Sequence, residues 1–235
     1  MEKEYSSEEE FLKAYDSSKF EKLSMTTDVV IFSVSNKEQS NYRKLDHKVL
    51  SVLLVKRNNY PFKDKWCIPG GFLRMDETLD ESALRILKDE TGLHDIYLEQ
   101  LYTFSEINRD PRLRVVSTAY MTLIDKNRLE EKILDNASWF DIDLKTTEDE
   151  YIVTLDNGEE QIHFTVKKTL RELTTDRYSF EETSNDLLAF DHSVVIISAL
   201  ERVLAHSVVT TVVGITLTQF LRFVTLVVVV EVTFY

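Results

Sequence analysis

Apolar residues change period several times along the chain, and each change predicts an element. Residues 28–34 (Asp-Val-Val-Ile-Phe-Ser-Val) and 49–55 (Val-Leu-Ser-Val-Leu-Leu-Val) are apolar runs of strand length. The polar stretch between them, 36–47, suits a long hairpin loop. A loop containing Pro61, Trp66 and Pro69-Gly70-Gly71 comes next. A helical period then covers 79–91, followed by strands near 96–104, 114–124 and 137–140. Residues 151–155 and 162–166 read as a hairpin around Asp156-Asn157-Gly158, where Asn and Gly supply the positive φ angles that tight turns need. Residues 167–173 and 191–206 read as helices. Strands surrounding helices predict an α+β or mixed α/β domain.

The two ends break this pattern. Within residues 1–23, Phe11, Leu12, Tyr15 and Phe20 fall at helical spacing, which predicts an amphipathic arm docked by its apolar face with the acidic residues toward water. Residues 203–235 hold eleven valines but only one Arg, Arg222, and one acidic residue, Glu231. The uncharged run 207–221 is shorter than the ~20 apolar residues that span a bilayer. A buried or aggregation-prone β segment is therefore expected there rather than a membrane span.

Composition narrows the function classes. A length of 235 residues fits one domain of ordinary size plus a smaller appendage. The net charge of -13 argues against a general binder of nucleic acid or anionic membranes, so any DNA contact must be local. The single cysteine, Cys67, excludes an intrachain disulfide. The acidic start lacks the basic-then-apolar pattern of a secretory signal, and a cytoplasmic setting is expected. P-loop, H-E-x-x-H and C-x-x-C patterns are absent, and the five histidines lack metal-ligand spacing.

One motif carries chemistry. Gly71, Glu77, Arg85, Asp89, Glu90 and Gly92 fall on the pattern G-x5-E-x7-R-E-U-x-E-E-x-G-U, with Leu87 and Leu93 as the aliphatic U positions. This resembles the Nudix box, and the resemblance implies an α/β/α sandwich around a mixed sheet. Thr78 and Glu81 have capping-box spacing, and Gly92 suits the left-handed residue after a helix. At about 100° per residue, Ala83, Leu84 and Leu87 are expected to face the core, while Arg85, Ile86, Asp89 and Glu90 share the opposite arc.

Phosphoanhydride hydrolysis needs carboxylates on that arc because Mg2+ prefers hard oxygen ligands and, once bound, neutralises phosphate charge and orients water. Glu77, Asp89 and Glu90 are the candidate metal ligands. Glu77, Arg85 and Glu90 are the candidate catalytic residues, with Arg85 orienting the carboxylates as the resemblance implies. The chain departs from the pattern twice: Ile86 stands in place of the first paired glutamate, and Asp89 replaces a longer Glu. In the family that first glutamate is a principal metal ligand, so weak Mg2+ binding and impaired hydrolysis are expected. Glu106, Asp110, Glu130, Glu131 and Asp135 lie on segments able to approach a diphosphate, and none is distinguished as a substitute base.

Several phrases narrow the resemblance: Pro61-Phe62, residues 66–72 (Trp-Cys-Ile-Pro-Gly-Gly-Phe), residues 98–104 (Leu-Glu-Gln-Leu-Tyr-Thr-Phe), Arg109-Asp-Pro-Arg112, Val115-Val116 and Leu188-Ala-Phe-Asp-His192. Together they resemble Nudix-related transcriptional regulators of NAD metabolism and their ADP-ribose-hydrolysing relatives. The likeness covers roughly residues 25–202, so the chain divides into the helical arm (1–24), a Nudix domain (25–173) and a C-terminal region (187–235) that the resemblance implies should end in a winged helix. It also implies binding of ADP-ribose or a related nucleotide, a homodimer and contact with operator DNA. Arg109 and Arg112 are then candidates for phosphate, and Phe104 for a stacking or wall position; a loop ion pair and a core aromatic are the alternatives. With one Arg and no Lys, residues 203–235 can make few phosphate contacts, so at most a winged-helix remnant is expected. Three functions follow: a ligand-sensing regulator, a Mg2+-dependent ADP-ribose pyrophosphatase releasing AMP and ribose 5-phosphate, or a partner-binding pseudoenzyme.

Overall fold

The computed structural model describes residues 6–37, 47–126, 136–170 and 178–213. In chain order the elements are α1 (Glu8–Ala14), β1 (Ser24–Lys37), β2 (His47–Lys56), β3 (Trp66–Cys67), β4 (Gly70–Phe72), α2 (Leu79–Thr91), β5 (Glu99–Phe104) and β6 (Val115–Ile124). They continue with β7 (Ala137–Thr146), β8 (Glu150–Asp156), β9 (Gln161–Leu170), β10 (Tyr178–Asn185) and α3 (His192–Val213). The strands form one sheet in the order β10-β9-β8-β7-β2-β1-β6-β5, with β3 against β2 and β4 against β1. The β1–β6 pair is parallel and the other pairs are antiparallel, which makes the sheet mixed as expected.

β1 is central and covered on both faces, which explains why its sequence is a continuous apolar run rather than an alternation. Val30 and Phe32 face the α3 side, where they join Val195, Ile196, Ala199 and Leu200. Val29 and Ile31 face the α2 side, where they join Ala83, Ile86 and Leu87. Two helical layers thus sandwich the sheet. α2 has the predicted limits: Thr78 and Glu81 complete a capping box, and Gly92 ends the helix at φ 70.

Several expectations are corrected. Of the arm expected over 1–23, residues 1–5 lie outside the described residues; the helix is only Glu8–Ala14, followed by a 3-10 turn at Ser17–Lys19. Phe11, Leu12, Tyr15 and Phe20 are exposed; Tyr15 stacks on Phe20 with centroids 6.0 Å apart and meets Phe11 at a tilt with centroids 5.7 Å apart. Residues 167–170, expected to begin a helix, continue β9 because β10 supplies a partner strand, with Lys168 opposite Phe180. In the β8–β9 hairpin only Gly158 takes a positive φ, and the Asn157 side chain closes a four-residue loop by accepting from the amides of Glu159 and Glu160. The β segment expected from Val203 is helical through Val213, where it extends α3; the rest of it, including 214–221, lies outside the described residues. Among the described residues no helix is long and apolar enough to cross a membrane.

Candidate functional site

On α2 the carboxylate arc is smaller than the spacing predicts. Ile86 is only 4% exposed and packs with Val29, Ile31 and Leu53, whereas Leu84, expected in the core, is 43% exposed. The stripe that meets the sheet runs through Ala83, Ile86 and Leu87 at spacings of three and four, and it turns Leu84 outward. The apolar residue at the position of the motif's first glutamate is therefore part of the core.

Glu77 receives a fork from Arg85, with the Nε bond at 2.8 Å to one oxygen and the Nη2 bond at 2.6 Å to the other. These bonds, with the Arg74 amide, hold its carboxyl down to about 2. The pair's contribution is complete above the ordinary carboxylate range and is lost only as pH falls toward that value. Arg85 also reaches Ser82 Oγ at 3.2 Å and the Phe72 carbonyl at 3.5 Å, which ties the helix to β4. Asp89 is exposed. Glu90 is half-buried; its Oε2 lacks a hydrogen-bond partner among the described residues, and burial, with Asp89 beside it, raises its pKa.

Glu90 Oε2 is thus a free hard donor, but a divalent ion needs several such oxygens. Both Glu77 oxygens are engaged by Arg85, and Ile86 offers none. Among the described residues no group of three His, Cys, Asp or Glu side chains is placed to hold an ion. The donors present do not fit a Mg2+ cluster built on Glu77, Asp89 and Glu90.

Beside this helix lies a cleft of about 170 Å³ where four of the distinguishing sequence phrases meet. Cys67, Ile68 and Gly70 to Phe72 form one wall; Arg109, Asp110 and Arg112 form a second; Phe190 and His192 form a third, with Thr26, Asp28, Arg57 and Val115 completing the lining. Arg109 grips Asp191 with bonds of 2.9 and 2.7 Å and lies 3.6 Å from Asp28, its side chain only 5% exposed. Arg112 grips Asp110 at 3.0 and 2.7 Å, and its guanidinium sits 5.3 Å from the Phe72 ring centre. The Asp110 carboxyl is lowered by these Arg112 bonds.

His192 Nδ1 accepts the Ile68 amide at 2.9 Å, and burial lowers its pKa, so the ring is neutral with its proton on Nε2. β4 lies close to Asp28: a Cβ at Gly70 would fall 2.1 Å from Asp28 Oδ1, so only glycine fits. Burial pushes the Cys67 thiol up to about 11, against a smaller opposing pull from Arg57. Cys67 is therefore expected to resist iodoacetamide at about pH 8 in the folded protein and to react once denatured. Mass spectrometry checks this, and rapid alkylation of folded protein would contradict it.

Phe104 lies outside the cleft, buried in the core edge-on to Tyr102. Asp110 is buried on Arg112, and Glu106 is exposed with its carbonyl accepting from Arg114. Glu130, Glu131 and Asp135 lie outside the described residues. Sequence reasoning missed Asp28, Arg57 and Phe72 as cleft residues, although Phe72 stood in a quoted phrase. It quoted Phe190 and His192 without giving them a role.

A mixed sheet between two helices, with a capped Glu77–Arg85 helix beside a cleft of arginines and aromatics, is the arrangement of a Nudix domain. The chain belongs to the NUDIX domain family, whose pattern matches residues 27–155. It is 37% identical over 131 residues to the ADPR responsive transcriptional repressor NtrR of Acinetobacter baylyi, covering 55% of this chain and 48% of the repressor. It is 41% identical over 70 residues to an ADP-ribose pyrophosphatase of Methanocaldococcus jannaschii, covering 30% of this chain and 41% of that enzyme. A crystal structure of a MutT/nudix family protein from Enterococcus faecalis superposes with a TM-score of 0.61 at 32% identity, covering 85% of this chain and 70% of that one. The chain spans about half the length of the curated relatives it matches.

Proposed function

We propose that this protein binds ADP-ribose or a related nucleoside diphosphate derivative as a sensor, with weak or no hydrolysis, and acts as a ligand-responsive transcriptional regulator of NAD metabolism. The observation that carries this reading is the contrast between the two halves of the site. The cleft keeps cations and aromatic faces suited to a diphosphate and its attached groups, while the carboxylate arc has lost a donor to the core at Ile86. Binding needs the first set, and metal-assisted hydrolysis needs the second. The similarity to an ADPR responsive repressor supports the same assignment. In this reading the sheet and α2 sense the ligand, and α3 carries the response toward the C-terminal region. Operator binding and a homodimer belong to the proposal.

Calorimetric titration with ADP-ribose in EDTA tests the sensing half directly, and saturable, metal-independent binding is the expected result. A flat titration would overturn it. Two observations favour a second reading, Mg2+-dependent ADP-ribose pyrophosphatase activity: Asp89 and Glu90 survive as adjacent carboxylates, and the chain is 41% identical over 70 residues to an ADP-ribose pyrophosphatase.

A further inference from the structure

Arg57, Arg109 and Arg112 all line the cleft, but the structure does not leave them equally available. Both prongs of Arg109 are on Asp191, and both prongs of Arg112 are on Asp110. A ligand anion would have to compete with a bidentate carboxylate at either one. Arg57 forms no ion pair among the described residues. Its Nε donates to the Pro61 carbonyl at 2.8 Å, and its guanidinium carbon lies 4.9 Å from the centre of the Phe190 ring. The backbone bond fixes one edge of the guanidinium, the Cys67 sulfur lies within reach of it and the ring supports its plane, while no carboxylate among the described residues takes its terminal NH2 groups.

The support under Arg57 is itself held. Phe190 has φ 55 and Phe62 has φ 60, a left-handed conformation that costs an aromatic residue energy and persists only where the surroundings enforce it. The two rings meet edge to face with centroids 4.8 Å apart, so each strained residue braces the other. In a chain of net charge -13, a cleft arginine that pairs with no carboxylate among the described residues is a local positive point that draws anions.

From this arrangement we infer that Arg57 is the anion-anchoring residue of the cleft. It takes a phosphate of the bound nucleoside diphosphate through its terminal NH2 groups, and Phe190 positions it. The inference deepens the sensing role proposed above and rests on it for the identity of the ligand. Arg109 and Arg112 shape the wall around that phosphate through their carboxylate pairs.

The test is calorimetric titration of the full chain and of Arg57→Gln and Arg57→Lys with ADP-ribose and with inorganic pyrophosphate, each at low and high NaCl. Thermal unfolding of each variant reports folding. Arg57→Gln is expected to weaken both ligands by roughly 10- to 100-fold, the loss of a charge-assisted hydrogen-bonding group. It is also expected to flatten the salt dependence of binding, a change that a purely structural role in the loop would not produce. Arg57→Lys keeps the charge without the planar fork and is expected to fall between wild type and Arg57→Gln.

Arg57→Gln binding within about twofold of wild type, or weakened with unchanged salt dependence, would overturn the assignment. If Arg57→Gln does not fold, wild-type affinity in Arg57→Lys would do the same. Wild-type protein that binds pyrophosphate but not ADP-ribose, and loses it on Arg57→Gln, would keep the anion site and remove the ADP-ribose reading. Wild-type protein that binds neither would remove both.

Discussion

Arg109→Met is expected to destabilise the protein by about 3–5 kcal/mol, the cost of leaving buried charge without its partner. Arg109 holds Asp191 with two bonds and faces Asp28 at 3.6 Å, and the Arg109 and Asp28 side chains are almost fully buried. Methionine matches the aliphatic stem but leaves two carboxylates facing each other across the cleft wall. Asp191 immediately precedes α3, so the same change loosens the junction between the cleft and that helix. Guanidinium denaturation measures the loss, and Arg109→Lys should recover part of it, since charge returns without the two-pronged geometry. A loss under about 1 kcal/mol would mean that the ion pair is no more than a surface contact.

Ile86→Glu is the second large effect, expected to cost about 3 kcal/mol or more near neutral pH because a carboxylate enters the α2–sheet core. Ile86 packs on Val29, Ile31 and Leu53, and Glu90, four residues further along the helix, is already raised by burial. The introduced acid would have a folded pKa above its unfolded value, so the deficit is full at about pH 8 and shrinks as pH falls toward about 4. Denaturation at those two pH values checks the sign. Putting back the motif's glutamate is thus expected to weaken the fold without restoring hydrolysis. Recovery of stability on adding Mg2+, together with new turnover, would contradict the placement of Ile86 in the core.

These two residues also show what the sequence made legible. The limits of α2 were readable because Thr78, Glu81 and Gly92 act on backbone groups within a few residues. Which way Ile86 points was not readable: Leu84 and Ile86 border the same apolar stripe, and only the position of the sheet decides between them. The phrases around Cys67, Arg109 and His192 were visible as a resemblance, and their convergence on one cleft was not. Asp191 reaches Arg109 across 82 residues, a pairing that no local pattern encodes. Arg57 carries no motif and Phe190 stands in the 188–192 phrase without an evident role, because their roles rest on a ring contact and on a carbonyl four residues from Arg57. β10 was missed because its polar sequence gives little strand signal, and with it went the strand character of residues 167–170. The sequence left Phe104 open between a stacking position and a core aromatic, and the bulge between Gln100 and Tyr102 decides for the core by making Leu101 and Phe104 the buried positions of β5.

The proposed sensing role requires that this Nudix domain retain a nucleotide while lacking the donors to cleave it. Its most direct test is AMP release from saturating ADP-ribose in the presence of Mg2+, on the same protein that shows binding in EDTA. The expected result is Mg2+-dependent turnover far below the roughly 1–1,000 per second typical of enzymes. Prompt AMP release in that range would show that Asp89 and Glu90 suffice as donors, and would contradict it.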